Sequence, residues 1–203
     1  PTLGYSKVLH DPFGLGVLFN NEVYSNPNRF FAHWTTSEYF LNIPLFLQNF
    51  TSPIDSVYLS CGIAKIFIQI LITFLLAVYI SGSLKVLKTK FLIAALIITP
   101  LFQTFGYNRW MGIIDESVIY TFFYALPLGL LLLFFLPFYS TLYNSKNLEL
   151  NIYFKIILAL FIPVLTLNGP LIPGVVLIAC PLVLLNEWLK NYAFHVKLSW
   201  FMF

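Results

Sequence analysis

The chain has 203 residues, of which 59% are hydrophobic, 19% are aromatic and 9% are charged, and its formal net charge is +3. A soluble domain carries roughly 25% charged residues, so this composition excludes an ordinary soluble globular protein. The basic residues lie mainly between apolar stretches and form no continuous basic face, which excludes nucleic acid as a partner.

The N-terminal 57 residues predict a segment outside the membrane. Residues 1–25 are loop-like, with Asp11 among Pro and Gly residues that can hold a side chain over a cavity. Asn26-Pro27 predicts a helix start, because Asn caps helices and Pro fits their first turn. The aromatic stretch Asn28–Leu47 then predicts a helix on the outer membrane surface, broken near Pro44.

The aromatic helix also carries polar side chains that are candidates for substrate binding. Arg29 and His33 are four residues apart and share a helix face. Trp34 can stack on a sugar ring, although contact with lipid explains its position more simply.

Residues 58–203 predict an all-α bundle of about five transmembrane spans, since five stretches are apolar enough to enter a bilayer. In chain order, the predicted spans are Tyr58–Ser81, Phe91–Gly106, Val118–Thr141, Ile152–Leu167 and Leu171–Trp188. The helix of the first span begins after the cap Ser52-Pro53 and ends at Gly82. The last two stretches fit two thin spans or a re-entrant hairpin, and we favour two spans. Residues 191–203 predict an interfacial tail.

The lysines and arginines predict the orientation of this bundle. Connections after the first, third and fifth stretches, together with Lys155 in the first turn of the fourth stretch, carry seven basic residues, whereas the N-terminal segment and the other connections carry three. Cytoplasmic loops collect Lys and Arg, so the N-terminal segment is expected outside and the C-terminus inside. A composition rich in Ile, Phe, Asn and Lys suggests a bacterial inner-membrane protein. Because an exported N-terminal segment needs a membrane signal, we expect the chain to be a fragment that lacks an upstream helix.

Lys65 is the most informative candidate residue, because it lies within the first predicted span, where an ionised amine is energetically costly. Gln69 follows on the same helix face. Lys65 is expected either to hold an anionic group, with Gln69 beside it, or to reach the headgroups and pair with an outer acid.

The outer loop between the second and third predicted spans holds a second set of candidates. Arg109 can grip a phosphate or carboxylate with two hydrogen bonds. Asp115 and Glu116 can act as a general base or hold a divalent metal, or they can be the first turn of a helix. The histidines and cysteines show no metal-ligand spacing. Asn168-Gly169-Pro170 predicts a tight turn or a broken helix that lines a cavity.

The layout resembles the multi-pass glycosyltransferases of the GT-C fold, and also bacterial membrane proteins with an Arg-Phe-Phe outer helix. The resemblance is carried, in order, by the Asp11 region, the aromatic run Asn28–Trp34 and the turn Asn168–Pro170. It implies membrane lipids and a polyprenyl-phosphate-linked sugar as partners. Asp11 is then the catalytic base or metal contact, assisted by Asp115 or Glu116, and Lys65 and Arg109 hold the donor phosphate. The alternative is a non-catalytic transporter part or membrane scaffold.

Overall fold

The computed structural model describes residues 7, 10, 11, 13–23, 27–102, 117–144, 151–169 and 171–190, with residues 141–144 and 186–190 described in backbone only. Every regular element within these ranges is helical, as the sequence predicts. The helices are α1 (Leu15–Asn20), α2 (Phe30–Leu47), α3 (Pro53–Ser81), α4 (Thr89–Ile98), α5 (Leu126–Asn144), α6 (Ile152–Thr166) and α7 (Leu171–Lys190). Shorter turns flank them: 3-10 turns at Pro27–Arg29 and Thr99–Phe102, an α turn at Val118–Tyr120 and a π turn at Thr121–Ala125.

Helix α3 has the bounds that its local sequence predicts. The Ser52 hydroxyl accepts the Asp55 N–H at 3.2 Å and donates to the Asp55 carboxylate at 2.7 Å. Pro53 occupies the first turn, where its missing N–H costs no hydrogen bond. At the other end Gly82 adopts φ 62°, and its N–H donates to the Val78 carbonyl at 2.8 Å. These caps fix a helix of 29 residues.

Two predictions for the N-terminal segment are wrong. Residues 15–20 form helix α1 instead of a loop, because Asp11 caps two backbone N–H groups in its first turn. Helix α2 also continues through Pro44 to Leu47. Pro44 is buried, and packing keeps the helix intact across the one hydrogen bond that its missing N–H removes.

Within the described residues, two helices are long and apolar enough to cross a bilayer, which is fewer than the five predicted spans. They are Pro53–Ser81 and Val118–Ser140, and 33% of the most apolar window of each is buried. The apolar stretches of the other helices, Thr89–Phe102, Ile152–Thr166 and Leu171–Leu185, are shorter than the roughly 20 residues that a span needs.

The core lies between α3, α4 and α5. Buried residues of α3 recur every third or fourth position and meet apolar side chains of α4 and Ala125 of the π turn. Gly129 allows α5 to approach α3, since a Cβ there would lie 3.2 Å from the Leu71 side chain. A smaller cluster joins α5, α6 and α7 through Leu131, Leu165 and Ile172.

Two tyrosines tie α3 to α5 near one end of the bundle. The Tyr79 hydroxyl donates to the Leu132 carbonyl at 2.7 Å, and the Tyr139 hydroxyl donates to the Tyr79 carbonyl. Their ring centroids are 4.5 Å apart. Each hydroxyl therefore bonds to the backbone of the opposite helix.

We predict that Gly82→Ala lowers the unfolding free energy by about 1 kcal/mol, because a Cβ is strained at positive φ. Gly174→Ala is the matched control: this glycine lies inside α7, and a Cβ there would meet no atom within 4 Å. The control should leave stability unchanged or raise it by up to about 1 kcal/mol. Thermal unfolding in detergent measures both, and equal destabilisation by both variants would contradict the Gly82 cap.

Candidate functional site

The carboxylate of Asp11 has a local structural role. Its Oδ1 accepts the Leu15 N–H at 3.0 Å and its Oδ2 accepts the Gly16 N–H at 2.7 Å. Nearby, the Lys7 ammonium and the Glu22 carboxylate form an ion pair of 2.9 Å. Both oxygens of Asp11 thus stabilise the start of α1, and its assignment as a catalytic base stays a prediction.

Arg29 and His33 meet on the ring of Phe123. The Arg29 guanidinium carbon lies 5.7 Å from the ring centroid, within the range of a cation–π contact. The His33 ring packs edge-on against the same ring at 4.8 Å. The two side chains therefore contact the same ring, although Arg29 lies in the 3-10 turn before α2 and only His33 lies within the α-helix. Burial, and then the neighbouring Arg29 charge, lower the pKa of His33, which favours a neutral imidazole.

The turn between α6 and α7 packs against the start of α2. The Phe31 N–H donates to the Leu167 carbonyl at 3.1 Å, which satisfies one donor at the helix N-terminus. The next residue, Asn168, is 1% exposed, and its Oδ1 has no hydrogen-bond partner in the described chain. Gly169 adopts φ 138°, and a Cβ there would lie 3.9 Å from the Phe123 carbonyl oxygen. This turn therefore brings a buried, unsatisfied amide oxygen to the Phe123 region.

The π turn that holds Phe123 has a local cause in Pro127. Its wider spacing is seen where the Leu126 N–H donates to the Thr121 carbonyl, five residues back. Pro127 has no N–H for the Phe123 carbonyl, and its ring would clash with that carbonyl in a regular α-helix. The wider turn relieves the clash. Thr121, at its start, is fully buried, and no described group bonds its hydroxyl.

We call Arg29, His33 and Phe123 the polar cluster, which combines a fixed cation with an imidazole whose lowered pKa favours the neutral form. The two segments that meet at Phe123 add a buried hydroxyl, at Thr121, and a buried amide oxygen, at Asn168, that have no partner among the described residues. Such a set suits a ligand with an anionic group and hydroxyl donors. Sequence reasoning identified Arg29 and His33 but missed Thr121 and Phe123, for which the proline at 127 was the available signal.

The remaining predicted binding residues on described segments lie elsewhere. Lys65 is half-buried on α3, beside the buried stripe of that helix. Gln69, one turn further, lines a groove of about 600 Å³ between α3 and the end of α4, together with Leu96, Thr99, Pro100 and Phe102. Trp34 is 48% exposed, and its ring makes a T-shaped contact with the ring of Phe31. The ring contacts of Phe123 are made by Arg29 and His33 instead.

Arg109, Asp115 and Glu116 lie outside the described residues, so the predicted pocket of these groups with Asp11 and Lys65 stays a prediction. Across the described segments, no group of three His, Cys, Asp or Glu residues is placed to hold a metal ion.

The four acidic side chains described in α1–α3 and their flanks all have local partners. Asp11 caps α1, Glu22 pairs with Lys7, Glu38 accepts from the Asn42 amide at 3.4 Å, and Asp55 accepts from Ser52. These carboxylates therefore serve helix ends and surface pairs.

Comparison with protein-family models, curated proteins and solved structures gives no match to this chain.

We predict that Arg29→Gln raises the pKa of His33, because it removes a nearby positive charge that opposes protonation. The pKa should still lie below its ordinary value of 6.5, since burial is the larger cause of the depression. Histidine NMR titration of the detergent-solubilised protein, with His10 and His195 replaced, measures the change. Lys7→Gln is the control and should leave the titration unchanged. A fall in the pKa on removing Arg29 would contradict the proposed contact.

Proposed function

We propose that the chain is a polytopic membrane protein with five spans and its N-terminal segment on the non-cytoplasmic side. Two described helices have the length and apolarity for spanning, and the shorter apolar stretches of α4, α6 and α7 cross with local thinning of the bilayer. Large apolar side chains are exposed along all five, as lipid contact requires. The seven-to-three division of basic residues sets the direction.

Contacts between distant segments support a chain that crosses the membrane in alternating directions. The start of α2, the π turn before α5 and the turn after α6 meet one another through Phe31, Phe123 and Leu167. Five alternating spans would bring these three segments to the same side of the membrane. The charge pattern would make that side the non-cytoplasmic one.

At this end of the bundle we propose a site for a polyprenyl-phosphate-linked sugar, in the manner of a GT-C glycosyltransferase. The single observation that carries this proposal is the meeting of Arg29 and His33 on the ring of Phe123, whose carbonyl lies beside the turn that holds the buried Asn168. The Arg29 guanidinium would hold the phosphate, and sugar hydroxyls would donate to Asn168. Asp115 or Glu116 would supply the catalytic carboxylate, with Arg109 and Lys65 as further phosphate contacts.

A non-catalytic role, as a transporter part or scaffold, is the second candidate. It is favoured by the local pairing of the four described acids, which leaves none of them committed to the polar cluster. Under this proposal the same cluster binds the lipid-linked group without transferring it.

We predict that Arg29→Gln weakens binding of a long-chain polyprenyl phosphate roughly tenfold, the scale of one hydrogen bond to a charged group. Lys7→Gln, which removes a cation from the ion pair near α1, should bind as the wild type does. Binding to the detergent-solubilised full chain can be followed by native mass spectrometry. Equal loss of binding in both variants would show that the net charge of the protein, and not Arg29, determines binding. Absence of binding to the wild type would contradict the proposal.

Catalysis is tested separately by transfer from a polyprenyl-phosphate-linked sugar to a lipid or protein acceptor. We expect Asp115→Asn or Glu116→Gln to abolish transfer, and Asp11→Asn to act mainly by destabilising α1, with a loss of about 1 kcal/mol. Phosphate binding without any transfer would favour the non-catalytic candidate.

We predict that Asn20→Cys reacts with a membrane-impermeant thiol reagent in intact cells and that Lys88→Cys reacts only after permeabilisation. The background lacks Cys61 and Cys180. The seven-to-three division of basic residues is the reason for this expectation. Labelling at position 88 and not at position 20 would reverse the orientation.

A further inference from the structure

The groove between α3 and α4 opens to the outside of the bundle. It has a volume of about 600 Å³ and is bordered by apolar side chains of α4, of which Leu96 is 72% exposed. The α-helix of α4 changes to a 3-10 turn at Thr99, beside the groove. The Thr99 hydroxyl donates to the Ala95 carbonyl of its own helix at 3.1 Å, so its hydrogen is already used.

Gln69 is the polar group of this groove that remains unsatisfied. Its carboxamide has no hydrogen-bond partner among the residues that the structure describes. Gln69 lies about 24 Å along the helix from Pro53 and about 18 Å from Ser81, at 1.5 Å per residue. With α3 crossing the bilayer, the carboxamide is near mid-depth, where water is absent and an unmade hydrogen bond is costly.

We propose that this groove is a dimer interface, in which Gln69 of one copy bonds to Gln69 of a second copy. A carboxamide has both a donor and an acceptor, so two of them related by a two-fold axis form a reciprocal pair. Two copies that insert in the same direction share an axis along the membrane normal. Only residues at equal depth meet across such an axis, and Gln69 therefore meets itself.

The neighbouring surface of α3 suits this contact. Ile66 and Ile70 are 60% and 63% exposed and flank Gln69 with apolar surface. Two turns towards the N-terminus, Gly62 leaves open space, because a Cβ there would meet no atom within 4 Å. Small residues at such positions let transmembrane helices approach closely. Lys65, four residues before Gln69, lies about 40° around α3 towards its buried face. Its long aliphatic stem can carry the ammonium away from the contact surface.

A lipid chain fills the same groove less well. Hydrocarbon has no donor or acceptor, so it leaves the Gln69 carboxamide without a hydrogen bond. A second copy both covers the apolar border and satisfies the amide. The inference rests on the membrane placement of α3 proposed above, but not on the ligand of the polar cluster.

The mass of the full chain in detergent, measured by light scattering over a dilution series, tests the proposal. We expect a dimer that dissociates at roughly tenfold higher concentration in Gln69→Leu, and a smaller change in Gln69→Asn, which keeps the carboxamide. Leu96→Trp should block the groove. Ile97→Trp is its matched control, since Ile97 is 67% exposed but does not line the groove. A monomeric wild type, or equal effects of the two tryptophans, would overturn the interface.

Disulfide cross-linking in native membranes provides a second readout that does not depend on detergent. In a background without Cys61 and Cys180, Ile66→Cys should form an intermolecular disulfide. Ile157→Cys on α6, which is 59% exposed, should not. Equal cross-linking at both positions would count against the interface. Thiol labelling at positions 20 and 88 tests the membrane placement independently, so its failure is distinguishable from failure of the dimer.

Discussion

The irregular turn that carries Phe123 follows from one missing hydrogen-bond donor. Pro127 cannot supply the N–H that the Phe123 carbonyl would accept in a regular helix, and the chain widens into the π turn Thr121–Ala125. The carbonyl then faces the turn at Gly169, while the ring of the same residue receives Arg29 and His33. Phe123, just before α5, thus contacts the start of α2 with its ring and lies beside the α6–α7 turn with its carbonyl.

Local signals were enough to predict the helices whose ends are set by their own side chains. Helix α3 begins at Ser52-Pro53 and ends at Gly82, because each cap acts within four residues of the chain. The continuity of α2 through Pro44 was not predictable in this way, because it depends on burial against other helices. Among the candidate residues, the proximity of Arg29 and His33 followed from spacing. Their partner Phe123 lies at least ninety positions away, and no local pattern connects it to them.

Polar residues within α3 differ in how their hydrogen bonds are satisfied. The buried Ser56 and Ser60 hydroxyls donate to carbonyls of their own helix, at 2.7 and 2.6 Å. The Ser60 carbonyl also accepts from Tyr39 of α2 at 2.8 Å, which fixes α2 to α3. Short side chains can return to their own backbone in this manner, whereas the longer carboxamide of Gln69 extends beyond it. The same helix therefore combines groups that need nothing further with one that needs a partner.

The two tyrosines that join α3 and α5 hold the two helices together near one end of the bundle. Each hydroxyl is anchored to the backbone of the other helix, so sliding or rotation of one helix against the other costs a hydrogen bond there. A tilt that keeps both bonds leaves this region in place, and its amplitude grows with distance along the helices. Thr121 precedes α5 at the opposite end, where a few degrees of tilt become a displacement of ångströms. The tyrosine pair therefore holds α3 and α5 together near one end, and a small tilt between them displaces the buried Thr121 hydroxyl the most.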